Sequence, residues 1–388
     1  MKMPTRDTDL AVTASPRLTH QPAFWLFMML LAGSVLVVGL EQMAYLGLYP
    51  AAWMLSVVLL AATAIPAGLI IYRFDQFEPE PVSMIAIAVI WGGVVALTFA
   101  SITNSAMLSF LQHIMPAITV DSWGAAIVAP INEELYKGAG LVLMFLIARS
   151  EFDGLMDGLI YGAMIGLGFQ VVENIQYFML AASESAGGEI GAVVGMYFLR
   201  VVLSGLYSHV LFSGLMGFGF AYFVTREGQQ PLARRLGVFA LFAAASWAAH
   251  FVWNSPWLES LMGGDAGSLA LGIVIKGLPF LIFLAILAVF ARRREGEAFT
   301  RLMAGEVGTD TVTKEEFQVL RSGRRRRRML RRVRRARGPA AGAVLKRLMR
   351  EQMNLALFHG KVASIDHPAI ESQRNVVRGL RAQLDSMR

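Results

Sequence analysis

The 388-residue sequence contains no cysteine. Disulfides, thiolate zinc sites and thiol nucleophiles are therefore excluded, and any chemistry falls to carboxylates, imidazoles and hydroxyls. Charge is also scarce: only 16% of residues are Asp, Glu, Lys or Arg, while 55% are hydrophobic and mean hydropathy is +0.53. So few polar residues cannot cover a water-facing surface, which excludes an ordinary soluble enzyme. The charge that exists is unevenly spread. Residues 292–388 hold 24 Lys/Arg against 10 Asp/Glu, a net of +14, and residues 1–291 hold 11 against 18, a net of −7.

The apolar residues gather in stretches near 20, the length that crosses about 30 Å of hydrocarbon at 1.5 Å per residue. Eight spans are expected, at 24–43, 52–72, 83–103, 123–148, 154–182, 191–225, 237–254 and 269–291. The first is too long for a signal-peptide core and shows no clear cleavage site, so it is expected to be a mature span. The expected fold is an all-α polytopic membrane helix bundle. It has a short cytosolic segment at 1–23, a transmembrane bundle at 24–291 and an Arg-rich, partly helical cytosolic tail at 292–388. Arg73, Arg149, Arg226, Arg234 and Arg235 fall on alternate connections, and the outer connections at 44–51, 104–122, 183–190 and 255–268 hold no Lys or Arg. By the positive-inside rule both termini are cytosolic, in the cell membrane. Arg200, near the outer end of the sixth span, is the one charge out of place.

Ionisable side chains inside lipid cost a few kcal/mol each and mark function or a required partner. They are Glu133, Glu134 and Lys137 in the fourth span, Asp157 and Glu173 in the fifth, His209 in the sixth, His250 in the seventh and Lys276 in the eighth. Counted from the nearest inner-face charge, Glu134, Glu173, His209 and His250 all lie about 22–30 Å along their helices, in one layer of the outer half of the membrane. The i,i+4 relation puts Glu133 and Lys137 on one face and Glu134 about 100° away, so one glutamate can pair with lysine while its neighbour stays free, and either Glu134 or Glu133 can be the general base. Gly154, Gly158, Gly162 and Gly166 form a ridge on which another helix can pack closely. Asp157, nearer the inner end, suits a cap, and Lys276 a counter-ion or a snorkelling side chain. A buried carboxylate can pass a proton from water to a leaving amine, and two histidines with a carboxylate are a common ligand set for catalytic zinc. No His-Glu-x-x-His motif occurs, so a zincin-type site is excluded.

Four ordered motifs resemble the PrsW-type intramembrane proteases, distantly related to the CAAX-type prenyl endopeptidases. They are Glu133-Glu134-Leu135-Tyr136-Lys137; Phe169-x-x-x-Glu173-Asn174 with Tyr177; His209-Val-Leu-Phe-Ser-Gly; and His250-x-x-x-Asn254. The stretch Arg73-Phe74-Asp75-Gln76-Phe77-Glu78-Pro79-Glu80-Pro81 is similar too. The resemblance spans roughly residues 70–256. It implies a peptidase that cuts a single-pass membrane protein in or beside the bilayer, in the family's best-known role an anti-sigma factor. It makes Glu133 and Glu134 the leading catalytic residues, requires His209, and completes the site with Glu173 and His250. Lys137, Asn254, Phe169 and Asn174 are supporting; His209, His250 and Glu173 are expected either to hold a zinc ion or to activate water directly, so metal-dependent and metal-free hydrolysis both stay open, with Asn254 near enough to polarise the scissile carbonyl. Gln170 stands where some members of the family carry a second carboxylate.

Buried Glu, His and Lys residues also build transporters and channels, but those predict inverted repeats, which this sequence does not show by eye. A non-catalytic receptor is a third reading. In the tail, residues 314–336 are expected to be helical and drawn to anionic lipid. Residues 340–363 are expected to form an amphipathic helix that docks on the membrane or on the tail itself. Nucleic-acid binding is not expected, because Arg324–Arg337 lacks interleaved aromatics.

Overall fold

The computed structural model describes residues 18–77, 80–203, 208–257, 266–361 and 367–387. Most of the expected N-terminal segment, Glu78 and Pro79 of the loop motif, and much of the last outer connection lie outside these residues. Helix is the only regular structure among the described residues, the sole β feature being a single bridge between Val307 and Val312. Such a fold suits a medium in which every backbone N–H and C=O must be satisfied internally.

The chain divides into two compact units, Arg17–Phe74 with Glu80–Ala291, and Arg292–Arg388 with Asp75–Pro79. The helices are α1 (Pro22–Leu48), α2 (Pro50–Tyr72), α3 (Val82–Ile114), α4 (Ala117–Ile147), α5 (Leu155–Glu184), α6 (Glu189–Tyr197), α7 (Ser208–Thr225), α8 (Leu232–Asn254) and α9 (Ala266–Leu302). Proline punctuates the starts: Pro22 and Pro50 open α1 and α2, and Pro81, Pro116 and Pro231 stand just before α3, α4 and α8, where a missing N–H costs no helical bond. Asp157 caps α5, its Oδ2 accepting from the backbone N–H of Asp153 (2.8 Å) and Gly154 (2.7 Å), as its position near the helix start predicts.

Seven helical stretches among the described residues are long and apolar enough to cross a membrane. The protein is a multi-pass membrane protein. The expected span at 123–148 is present as the 31-residue α4 but is not among the seven, because it carries Asp121, Glu133, Glu134 and Lys137. The charges that lower its hydropathy are the ones that build the site. The expected span at 191–225 is α6, extended by a π-helical turn over Phe198–Leu203, and then α7.

At the centre is α5, the most deeply buried of the seven apolar stretches. Its Gly158, Gly162 and Gly166 meet α7 so closely that a Cβ on any of them would overlap the backbone oxygen of Gly217, Ser213 or His209 respectively. On another side Gly168 meets the Val89 carbonyl of α3, and Gly92 of α3 meets that of Ile165. Small residues are needed here because van der Waals contact, not water expulsion, draws helices together in lipid.

In the second unit α10 (Lys314–Leu320), α11 (Gly323–Lys361) and α12 (Pro368–Ser386) enclose a core of Phe299, Met303, Val312, Phe317, Leu320, Leu345, Met349 and Ala356. Gly338, at φ +87°, interrupts α11 with a conformation that favours glycine. The part of α11 after Gly338 is the expected amphipathic helix, and it docks on the unit itself, burying Leu345, Leu348, Met349 and Leu355. The part before it exposes Arg324, Arg325, Arg327, Arg328, Arg331, Arg332, Arg334, Arg335 and Arg337. The acids of the unit go to α12 instead: Arg374 pairs with Glu306 (2.7 Å), and Arg378 with Asp310 (2.6 Å) and Glu371 (2.7 Å).

The glycine contact yields a test. Gly162→Ala forces α5 and α7 apart at an overpacking cost of about 1–3 kcal/mol, against the roughly 1 kcal/mol by which alanine favours a helix. The thermal unfolding midpoint in detergent should fall. Gly191→Ala, whose Cβ would meet nothing within 4 Å, should leave it unchanged or slightly raised.

Candidate active site

Four helices deliver the expected residues to one point. Glu133, Glu134 and Lys137 come from the middle of α4, Glu173 from α5, His209 from the first turn of α7 and His250 from the last turn of α8. Glu133, Glu134, Lys137, His209 and His250 are each 5% exposed or less, which is tolerable for charged groups only if each is paired.

Lys137 is the hub. Its Nζ donates to Glu134 Oε1 at 2.6 Å, lies 3.0 Å from His209 Nδ1 and 3.5 Å from Glu133 Oε2, and sits 4.4 Å above the Phe169 ring. Lysine reaches both glutamates of the motif. Lysine bonds Glu134, at i,i+3, more closely than Glu133 at i,i+4, since both spacings face it on a helix. Glu134 is further fixed by His250 Nδ1, 2.9 Å from its Oε1, and by Ser246 Oγ, 2.9 Å from its Oε2. Glu133 is held by Asn104 Nδ2, which donates to Oε1 at 3.2 Å. Its buried Oε2 makes no hydrogen bond and lies 3.8 Å from both His209 Nδ1 and His250 Nε2. Of the two adjacent glutamates, Glu133 is the one that keeps an oxygen without a hydrogen bond.

Each imidazole is held on its far side by another carboxylate. His209 Nε2 lies 3.1 Å from Glu173 Oε2, as His250 Nδ1 does 2.9 Å from Glu134 Oε1. Ring packing completes the hold: Phe169 lies 5.1 Å from His209 and Phe212 stacks at 4.7 Å on His250. The near nitrogens converge with the Glu133 carboxylate so that one ligand atom from each of the three residues lies within 4.8 Å of the others. The three residues whose ligand atoms converge, and which could hold a metal ion, are Glu133, His209 and His250; Glu173, expected beside the two histidines, lies behind His209.

These groups line a cavity of about 700 Å³, shared by Glu133, Glu173, Arg200, His209, His250 and Asn254. Asn254 Nδ2 has only a 3.5 Å contact to the Ala125 carbonyl, and Asn174 accepts from Arg200 Nε at 2.8 Å. Lys276 serves as a cap: its Nζ donates to the Ser255 carbonyl and lies 3.5 Å from that of Trp253, holding the end of the helix that carries His250. Asn104, Ser246 and Arg200 were not singled out as site residues from sequence. The first two are lone small polar residues with no telling spacing, and Arg200 left only its misplaced charge as a signal.

Removing Lys137 leaves two buried carboxylates facing each other. Lys137→Met should lower unfolding stability by about 3–5 kcal/mol, the effect of breaking a buried pair. Adding Glu134→Gln should recover part of it; equal midpoints for parent and Lys137→Met in a detergent thermal scan would show that the ammonium is not the hub.

Three protein comparisons bear on this site. The chain is similar to proteins named Protease PrsW. For that of Geobacillus kaustophilus strain HTA426 the identity is 31% over 152 residues, covering 38% of this chain and 58% of that protein. For that of Bacillus subtilis strain 168 it is 29% over 151 residues, covering 38% and 59%, and for that of Oceanobacillus iheyensis 29% over 166 residues, covering 42% and 64%. The chain thus spans about 60% of the length of these relatives. No solved structure matches it. The family described as PrsW family intramembrane metalloprotease matches residues 80–290, which include every residue of the converging site. More than half of the sequence lies in that match, and the chain belongs to the PrsW family.

Proposed function

We propose that the protein is an intramembrane endopeptidase that uses a metal held by Glu133, His209 and His250. One observation carries this reading: a buried carboxylate oxygen without a hydrogen bond faces two imidazole nitrogens, and each imidazole is backed by a second carboxylate. Carboxylate–imidazole–metal arrays orient the ring and fix its tautomer in this way. The donor set fits zinc, whose ligands stand about 2.0–2.2 Å from the ion. When bound, zinc acts as a Lewis acid and lowers the pKa of a coordinated water.

The residues of the chain do the rest. Glu173 and Glu134 hold the N–H protons of His209 and His250, leaving His250 Nε2 unprotonated toward Glu133 and His209 Nδ1 as an acceptor shared between Lys137, at 3.0 Å, and the side of Glu133. Lys137 balances the carboxylates. The Asn254 amide, weakly bonded on the cavity wall, can donate to the carbonyl of a substrate bond. The substrate is a single-pass membrane protein, of the kind an anti-sigma factor represents. The charge alternation along the sequence supports a cell-membrane location with both termini cytosolic and the cut in the outer half of the bilayer.

Purified protein should cleave a single-pass reporter. Glu133→Ala, His209→Ala and His250→Ala should abolish both cleavage and the roughly one zinc per chain. Glu134→Ala and Glu173→Ala should weaken zinc binding about 10–100-fold. Cleavage by a metal-free, chelator-treated sample would refute the metal assignment.

The basic part of α11 is proposed to lie against anionic lipid. Its nine exposed arginines have no ion pair among the described residues, and each basic group near an anionic surface contributes about 1 kcal/mol. With no native cysteine, a single label at Ala336→Cys reports cleanly. In nanodiscs with anionic lipid it should be shielded from a water-soluble quencher, and in neutral nanodiscs or high salt exposed; equal quenching in both would reject the contact.

A further inference from the structure

Glu133 and Glu134 both face Lys137 on α4, yet the ammonium bonds Glu134 at 2.6 Å and leaves Glu133 at 3.5 Å. What draws Glu133 aside comes from α3. Asn104, half-buried on the wall of the cavity, donates from Nδ2 to Glu133 Oε1 at 3.2 Å, the one hydrogen bond of that carboxylate among the described residues. The carbonyl end of the same amide is occupied too. Asn104 Oδ1 accepts from Asn132 Nδ2 at 3.0 Å. Asn132 stands one residue before Glu133, is only 7% exposed, and has that nitrogen 3.2 Å from Met107 Sδ as well.

We infer that Asn104, pinned by Asn132, is a positioning residue that turns Glu133 away from Lys137 and keeps its Oε2 on the two imidazoles. A carboxamide has donors at one end and an acceptor at the other, and a carboxylate only accepts. Turning the Asn104 amide over would set its oxygen against Glu133 Oε1 and its nitrogen against the Asn132 nitrogen, acceptor on acceptor and donor on donor. Turning both amides would relieve the second clash and not the first. The chain from Asn132 through Asn104 to Glu133 therefore runs in one direction. Without the Asn104 donor, Glu133 Oε1 is a buried oxygen with no partner, which the interior does not tolerate, and the Lys137 ammonium is the cation at hand. The carboxylate would swing to it, and Oε2 would leave its place 3.8 Å from His209 Nδ1 and His250 Nε2. Ser246 and His250 hold Glu134 from α8 in the same manner. Two helices thus assign adjacent glutamates to different tasks.

The inference rests on the metal reading above only for its affinity arm. Its main test is a double-mutant cycle on the metal-free full-length protein in detergent, with the thermal unfolding midpoint as the readout. Asn104→Leu, which keeps the branched shape and removes the donor, should lower the midpoint in the parent and lower it less than half as much in Glu133→Ala, where the acceptor is already gone. Equal shifts in the two backgrounds would make Asn104 a packing residue and overturn the inference, whatever the metal does. The second arm is zinc affinity, measured by competition with a chelator. Asn104→Leu should weaken it about 10–100-fold, the usual effect of losing a residue behind a ligand. Asn132→Leu, which frees the Asn104 amide to turn, should fall between that variant and the parent, and Asn104→Gln, the same amide on a longer stem, should recover part of the loss. Parent affinity in a folded, monodisperse Asn104→Leu sample overturns the inference as well. Absence of zinc binding by the parent would count against the proposed function alone, and the cycle then decides on Asn104.

Discussion

The glycine contact between α5 and α7 is the constraint on which the rest depends. Gly166 stands against the His209 carbonyl because it has no Cβ, and this approach lets Glu173, on the same helix as Gly166, reach His209 Nε2. A larger residue would move the imidazole away from its carboxylate. The backbone distance between two helices thus fixes a hydrogen bond, and the hydrogen bond fixes which nitrogen of His209 faces Glu133. With only van der Waals forces to hold helices in lipid, this precision comes from shape rather than from hydrophobic collapse.

Electrostatics is the second layer. Three glutamates, two histidines, a lysine and an arginine are tolerated in an apolar bundle because nearly every polar atom has a partner. Lys137 serves three neighbours, Glu134 three donors, and Glu173 an arginine and an imidazole. Asn174 Nδ2 and Ser213 Oγ are buried without a hydrogen bond as well, but Glu133 Oε2 is a charged oxygen that faces two imidazole nitrogens. Buried polar groups are almost always satisfied, and a carboxylate oxygen left so beside two imidazoles is the kind of exception an added cation would fill.

Much of this was legible in the sequence, for identifiable reasons. An apolar run near 20 residues has few alternatives to a membrane helix, and intramembrane Glu, His and Lys residues stand out against Leu and Ala. The joint depth of Glu134, Glu173, His209 and His250 foretold that their helices meet. Spacing on one helix could not decide between Glu133 and Glu134, because the choice was made by Ser246 and His250 from α8. Nor could it tell which carboxylate converges with the imidazoles, since Glu173 is diverted by Arg200 from a different segment. Asn104 illustrates the limit: a lone amide in a run of Ser, Thr and Ala carries no pattern, yet it fixes the orientation of Glu133. In the second unit the amphipathic signal at 340–363 was correct about a helix with an apolar face, and the structure supplied the face it packs on.

The central claim is that Glu133, His209 and His250 form one metal-binding triad with Glu134 and Glu173 behind the rings. X-ray absorption at the metal edge of the purified, metal-loaded protein tests it most directly. The account predicts a first shell with two imidazoles and carboxylate oxygen, losing one imidazole signature in His250→Ala and retaining both in Glu173→Gln. A shell without two imidazoles, or one that loses an oxygen in Glu173→Gln and not in Glu133→Gln, would contradict it.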